Sequence, residues 1–221
     1  VFVQKIFFGS PAVVRIAPFF IFVLVTVAQE KIGGVSGGWL YLAKTIIGVG
    51  MIFAVRPFVA EMHWAVSWEA IVTGILIFAI WVGLDSLYPH LQKSKAGWDP
   101  LAQLGSHAPL AWLFIATHLL GSTFVVPPIE EIFYRSFLYR YVASKDFLSV
   151  SLDKFLPVPF LVTALVFGLA HNEWLAGILC GAAYQWLVLR KNRLGDAMTA
   201  HAITNCLLGV WVVWRGAWHF W

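Results

Sequence analysis

Charge is what this sequence has least of. Asp, Glu, Lys and Arg make up only 12% of its 221 residues, against about 25% in a water-soluble domain. Cysteine is scarce too: Cys180 and Cys206 are too few for a disulfide scaffold. Alternation of apolar and polar residues at strand period is also missing, which argues against a β-barrel. What is abundant is apolar surface, with 60% hydrophobic residues, 18 Phe and 12 Trp and a mean hydropathy of +0.80. That balance excludes a disordered tail and a water-soluble nucleic-acid binder, so no nucleic-acid partner is expected. The formal charge of +4 then reads as a bias of loops, not as a footprint for phosphate. The expected fold class is all-α: a polytopic transmembrane bundle of seven to eight helices, in one membrane-embedded domain over residues 1–221.

A helix needs about 20 apolar residues to cross the hydrocarbon. Spans are expected at 13–28, 39–55, 65–84, 110–126, 158–170, 174–189 and 195–214, with an eighth crossing if the stretch after Pro128 also spans. Gly33, Gly34, Gly37 and Gly38 punctuate the first connection, and Pro89, Pro100 and Pro109 precede the fourth span. The first 30 residues lack an A-x-A-like cleavage site after a short apolar core, so the first span is expected to be retained. With a cytoplasmic N-terminus, Lys5, Arg15, Arg56, Arg135, Arg140, Lys145, Lys154, Arg190, Lys191 and Arg193 share one side. Lys31, Lys93, Lys95 and Arg215 fall on the other. The positive-inside rule favours that orientation. Trp39, Trp64, Trp174, Trp214, Trp218 and Trp221 lie near expected span ends, where aromatic belts form.

In such a chain any charge at membrane depth needs a reason, because burying one costs about 2.5–3.5 kcal/mol on insertion scales. Lys44 and Glu69 lie about five residues from expected span ends and can snorkel to the interface. Glu173 and Asp196 sit at span boundaries, His118 reads as a core histidine, and Gly177-x-x-x-Gly181 reads as a close helix contact.

The stretch from Val125 to Arg140 is different. Glu130 and Glu131 are adjacent carboxylates in an apolar run, just after Pro127–Pro128, where a helix is expected to begin. Glu131 and Arg135, spaced i, i+4, can pair on one face. Glu130 then points about 100° away with no local cation. Apolar surroundings push an unpaired carboxyl toward the range of a general base. Two further constellations follow: Phe167-x-x-x-His171 closes the fifth span, and His201-x-x-x-Asn205 puts an imidazole and an amide on one face of the seventh. A buried Glu with a His can deprotonate a water, while a second His and an Asn can donate to an oxyanion. The same Glu and two His could instead bind zinc with an open position, although H-E-x-x-H spacing is absent.

Taken together, Glu130-Glu131-x-x-x-Arg135, Phe167-x-x-x-His171 and His201-x-x-x-Asn205 resemble the three signature motifs of the CPBP family. These are the CAAX-protease and bacteriocin-processing intramembrane endopeptidases, also called Abi or type II CAAX prenyl endopeptidases. Order, spacing and context match over about residues 127–210, placing a motif-bearing core near 110–214. The resemblance implies that Glu130 and His171 activate the attacking water. It assigns oxyanion stabilisation to His201 and Asn205, with Glu131, Arg135 and Phe167 in support. No cofactor is firmly implied; where the family is described as metal-dependent, zinc would fall to Glu130, His171 and His201. The stretches Trp81-Val-Gly-Leu-Asp-Ser-Leu-Tyr-Pro89 and His171-Asn-Glu-Trp-Leu-Ala-Gly-Ile178 resemble a bacterial CAAX-protease-related subgroup found alongside exosortase protein-sorting systems. Expected partners are thus membrane lipid, a peptide or protein substrate at the membrane, and an exosortase-like system, in a bacterial inner (cytoplasmic) membrane. Two other functions use the same residues: a non-catalytic immunity or sorting subunit that keeps the polar cluster for stability, and an ion or proton transporter. The second is disfavoured because no inverted repeat is visible.

Overall fold

A computed structural model describes residues 9–91 and 97–221, and every regular element among them is helical. In chain order these are α1 Val13–Ile32, α2 Gly34–Val55, α3 Trp68–Leu84, α4 Pro100–Leu104, α5 Pro109–Phe124, α6 Val126–Glu131, a π-helical segment Ile132–Leu138, α7 Tyr139–Ala143, α8 Pro157–Leu169, α9 Trp174–Lys191 and α10 Gly195–Arg215. All seven expected spans fall on helices. The orientation votes of Lys5, Lys93 and Lys95 lie outside the described residues.

Helix boundaries follow local chemistry. Only Gly33 separates α1 from α2, and Gly33 and Gly34 have φ of +64° and +54°, backbone that a Cβ disfavours. Ser67 caps α3 by accepting a hydrogen bond from the Ala70 amide at 3.2 Å. Asp99 does the same for α4 through the Leu101 and Ala102 amides. Between α5 and α6 stands Val125 alone, and Pro127 and Pro128 occupy the first turn of α6. Proline lacks the N–H that would continue the ladder, so the chain stays helical here while its hydrogen bonding is interrupted.

Four helical runs are long and apolar enough to cross a membrane: Gly34–Phe58, Trp68–Leu87, Pro109–Ala143 and Gly195–Arg215. Val13–Gln29 and Pro157–Leu169 are shorter apolar helices. Helix α9 falls short on hydropathy because it carries Gln185, Arg190 and Lys191, yet Ala176, Gly177, Cys180, Gly181, Tyr184, Gln185 and Val188 on it are buried. Its composition answers to neighbouring helices and not to lipid. The closest of these is α8: a Cβ on Gly177 would stand 2.9 Å from the Gly168 Cα, and one on Gly181 would stand 3.1 Å from the Ala164 Cα. Small residues permit that approach. Helix α10 packs on α3 and α5, and α1 on α2. Outward-facing Leu24, Phe53, Leu76 and Leu161 are exposed apolar side chains of the kind lipid covers.

Two expectations change. Lys44 does not snorkel: α2 begins at Gly34, which places Lys44 in mid-helix, and it is 4% exposed. Its ammonium donates to the Thr26 hydroxyl at 3.1 Å and lies 4.3 Å from the centre of the Tyr41 ring. Trp218 and Trp221 are not belt residues either. The turn Trp218–Phe220 folds back, so Trp218 packs with Ile115 and Val212, while Trp221 stacks on His118 at 4.1 Å.

Candidate active site

Helix α6 carries both carboxylates into the bundle. Glu131 and Arg135 are fully buried, with Arg135 Nε 3.1 Å from Glu131 Oε2. The contact is ionic and imperfectly aligned as a hydrogen bond. The guanidinium donates instead to the Gly181 carbonyl at 3.2 Å and lies over the Phe167 ring at 4.6 Å. Arg135 sits in the π-helical segment, whose wider turn is a frequent feature of functional sites.

Glu131 also reaches α10: its Oε1 is 2.9 Å from His201 Nδ1. A carboxylate partner makes Nδ1 the donor and leaves Nε2 facing Glu130, with Glu130 Oε2 3.9 Å away. That oxygen is buried and has no hydrogen-bond partner among the described residues. His171, just beyond the end of α8, turns Nδ1 to the Phe167 carbonyl at 2.8 Å. A carbonyl can only accept, so His171 Nδ1 carries the proton and its Nε2 is free to accept one. The Phe167 ring lies 4.7 Å from the His171 ring and 6.0 Å from that of His201. One turn after His201, Asn205 donates an amide N–H to the Ser122 carbonyl at 2.8 Å, leaving its second N–H uncommitted.

Glu130, Phe167, His171, His201 and Asn205 all line one cavity of about 570 Å3, which Lys44, Glu173 and Tyr184 also border. The structure thus gathers Glu130, His171, His201 and Asn205 around a shared space, while Glu131 and Arg135 stand behind it. An unpaired carboxylate, a histidine with a free Nε2, and an amide donor can polarise a water and a carbonyl.

For the zinc alternative, the donor atoms of Glu130, His171 and His201 do not all lie within 4.8 Å of one another. Among the described residues, the three-residue set whose donor atoms lie within 4.8 Å of one another is Asp85, His90 and Glu173. His201 is held back by Glu131 and stands 3.9 Å from Glu130, and His171 is turned toward its own helix.

Some residues at or behind the site carry no local sequence signal. Lys44 read as an interfacial charge because its helix was expected to start later. Tyr184 anchors to the Thr204 hydroxyl at 2.7 Å and lies 5.3 Å from the His201 ring, a pairing between helices that periodicity cannot show. At the other end of the π segment, Ser136, Arg15 and Arg140 all bind the Glu61 carboxylate. Their positions are separated by up to 125 residues, and only the fold brings them together. Burial alone would raise the Glu61 pKa, but the Ser136 hydroxyl and the hydrogen bond and charge of Arg15 outweigh it and bring it down to about 2.

No curated protein and no solved structure matches the chain. A family comparison does match: residues 110–207 fit the model described as type II CAAX prenyl endopeptidase Rce1-like. Through that segment, which holds Glu130, His171, His201 and Asn205, the chain is similar to the Rce1-like family.

Proposed function

We propose that this integral membrane protein is an intramembrane endopeptidase whose reacting groups are Glu130, His171, His201 and Asn205. The match to the family model over residues 110–207 supports a CAAX-type protease at family level. The observation that carries the assignment of residues is the buried Glu130 Oε2. It has no hydrogen-bond partner among the described residues, on the wall of a cavity that two histidines and an asparagine also border. Burying a carboxylate without partners is costly, and a site that needs a base is a reason to keep one.

In this reading Glu130 and His171 hold a water and take its proton as its oxygen attacks the carbonyl carbon of the scissile peptide bond. Negative charge then gathers on the carbonyl oxygen, where the free N–H of Asn205 and the Nε2–H of His201, acting as the imidazolium paired with Glu131, stabilise it. The tetrahedral intermediate collapses with cleavage of the C–N bond, and the proton held by the Glu130 carboxyl passes to the leaving amine. Glu131 fixes the His201 ring through Nδ1, Arg135 fixes Glu131, and the Phe167 ring packs beside both histidines. The family description supports a substrate with a prenylated cysteine near its C-terminus. The wall of the cavity, which includes Phe19, Phe22 and Val23, suits an apolar chain beside a peptide. The whole chain acts as one membrane-embedded unit in this proposal, in a bacterial inner membrane with its N-terminus on the cytoplasmic side.

The test is cleavage of peptide panels, prenylated and unprenylated, by purified protein in detergent, with His171→Ala alongside. Cleavage lost in a folded His171→Ala protein is the expected result. Undiminished cleavage by that variant contradicts the assignment.

A further inference from the structure

The stretches 81–89 and 171–178 meet in space. Trp174 donates its indole N–H to the Pro89 carbonyl at 2.9 Å, the Ala176 amide reaches the Tyr88 hydroxyl at 3.4 Å, and the Trp81 ring stands 5.4 Å from that of His171. At this junction α3 ends, α9 begins and the C-terminal turn Trp218–Phe220 returns. Donor atoms of Asp85, His90 and Glu173 lie here within 4.8 Å of one another.

Three observations point to a ligand. Glu173 is 7% exposed, and no described side chain donates a hydrogen bond to its carboxylate. The Asp85 Oδ1 atom is buried without a hydrogen-bond partner and stands 3.3 Å from His90 Nε2. His90 Nε2 also donates to the Asp85 backbone carbonyl at 2.9 Å, so it carries the proton and His90 Nδ1 is the nitrogen free to ligate. The other Asp85 oxygen, Oδ2, faces His219 Nε2 at 3.2 Å, the kind of outer partner that orients a ligating carboxylate. Two carboxylates this close repel each other, and no Lys or Arg among the described residues pairs with either. A dication cancels that repulsion and supplies the missing partner to Oδ1 and Glu173 together.

We propose that Asp85, His90 and Glu173 form a divalent-metal site of the zinc class, with His219 orienting Asp85. One nitrogen and two oxygen donors suit zinc among the divalent ions. The ion would tie the end of α3 and the C-terminal turn to the 170–173 connection. That connection carries His171, and Glu173 on it forms part of the cavity wall. The site is separate from the set Glu130, His171 and His201, and it stands whether or not that set is catalytic.

The experiment uses the full chain in detergent, stripped with a chelator and titrated with Zn2+ against a chromophoric competitor, with thermal melting in parallel. Uptake of one equivalent per chain and a rise in Tm are expected. Glu173→Gln and His90→Asn should each weaken uptake by about 10-fold to 100-fold while the stripped proteins melt like stripped wild type, and Glu130→Gln should bind as wild type does. Absence of stoichiometric uptake by wild type overturns the proposal. So does uptake that Glu130→Gln abolishes and Glu173→Gln leaves intact. If a cluster variant fails to fold, the wild-type stoichiometry and the Glu130→Gln titration still decide.

Discussion

Replacing Arg135 by Leu removes the guanidinium in ionic contact with Glu131 and leaves a carboxylate that is fully buried. At 3.1 Å two unit charges attract by roughly 5 kcal/mol at an effective dielectric constant of about 20. Part of that is offset by the cost of desolvating both groups. Breaking one side of a buried pair typically costs about 3–5 kcal/mol, because the remaining charge has no partner, whereas removing both sides can be near neutral. Arg135→Leu is therefore expected to destabilise by about 3–5 kcal/mol. Adding Glu131→Gln, whose amide oxygen can still accept from His201 Nδ1, should recover at least half of the loss. Equilibrium unfolding in mixed micelles, followed by tryptophan fluorescence, measures both variants and their coupling. A cost below about 1 kcal/mol for Arg135→Leu, the range of solvent-exposed pairs, refutes the reasoning. So does a double variant that loses the sum of the two single losses.

Other perturbations test other parts of the fold and site. Glu61 is held ionised, with its pKa brought to about 2, so its stabilisation is full above the ordinary carboxylate range and is lost as pH falls from about 4.5 toward 2. A shift of this size is worth roughly 3 kcal/mol, and Glu61→Gln should flatten the acid limb of a Tm-against-pH profile. Gly177→Leu places a side chain where a Cβ alone would stand 2.9 Å from the Gly168 Cα; a loss of about 1–3 kcal/mol or more is expected in unfolding measurements. Asn205→Ala removes an oxyanion donor in the proposed mechanism and should lower kcat by about 10²–10³-fold with KM little changed. An equal fall in a folded Asn205→Asp protein, which keeps the size but not the N–H, would agree; full activity there would not.

How much of this was legible in the sequence depends on how far apart the interacting residues lie. The Glu131–Arg135 pair is readable because i, i+4 spacing on a helix is a local fact, and the structure has it at 3.1 Å. The Gly177–Gly181 contact is readable for the same reason, and its partner helix α8 is as close as small residues allow. Hydropathy alone locates helices at the seven expected spans, four of which fall in runs long and apolar enough to cross a membrane, while α9 owes its sequence to burial against protein. What stays hidden is long-range. Lys44 looks interfacial until Gly33 and Gly34 are seen to turn the chain in a single residue, which starts α2 early and moves Lys44 to mid-helix. Trp218 and Trp221 look like interface anchors until the last turn folds back onto α5 and α10. Glu173 looks like an ordinary span boundary, since nothing in 88 residues of separation says that it lies near Asp85. Nor does spacing show that Glu131 serves His201 as well as Arg135.

The most direct measurement is turnover of a cleavable membrane peptide by Glu130→Gln protein beside wild type, with matched melting curves. The amide fills the same space as the carboxyl but cannot take a proton from water. If Glu130 is the base, turnover falls by at least about 10²–10⁴-fold, the usual contribution of general-base catalysis, while the protein stays folded. Wild-type turnover by folded Glu130→Gln would remove Glu130 from the reaction, and the proposed mechanism with it.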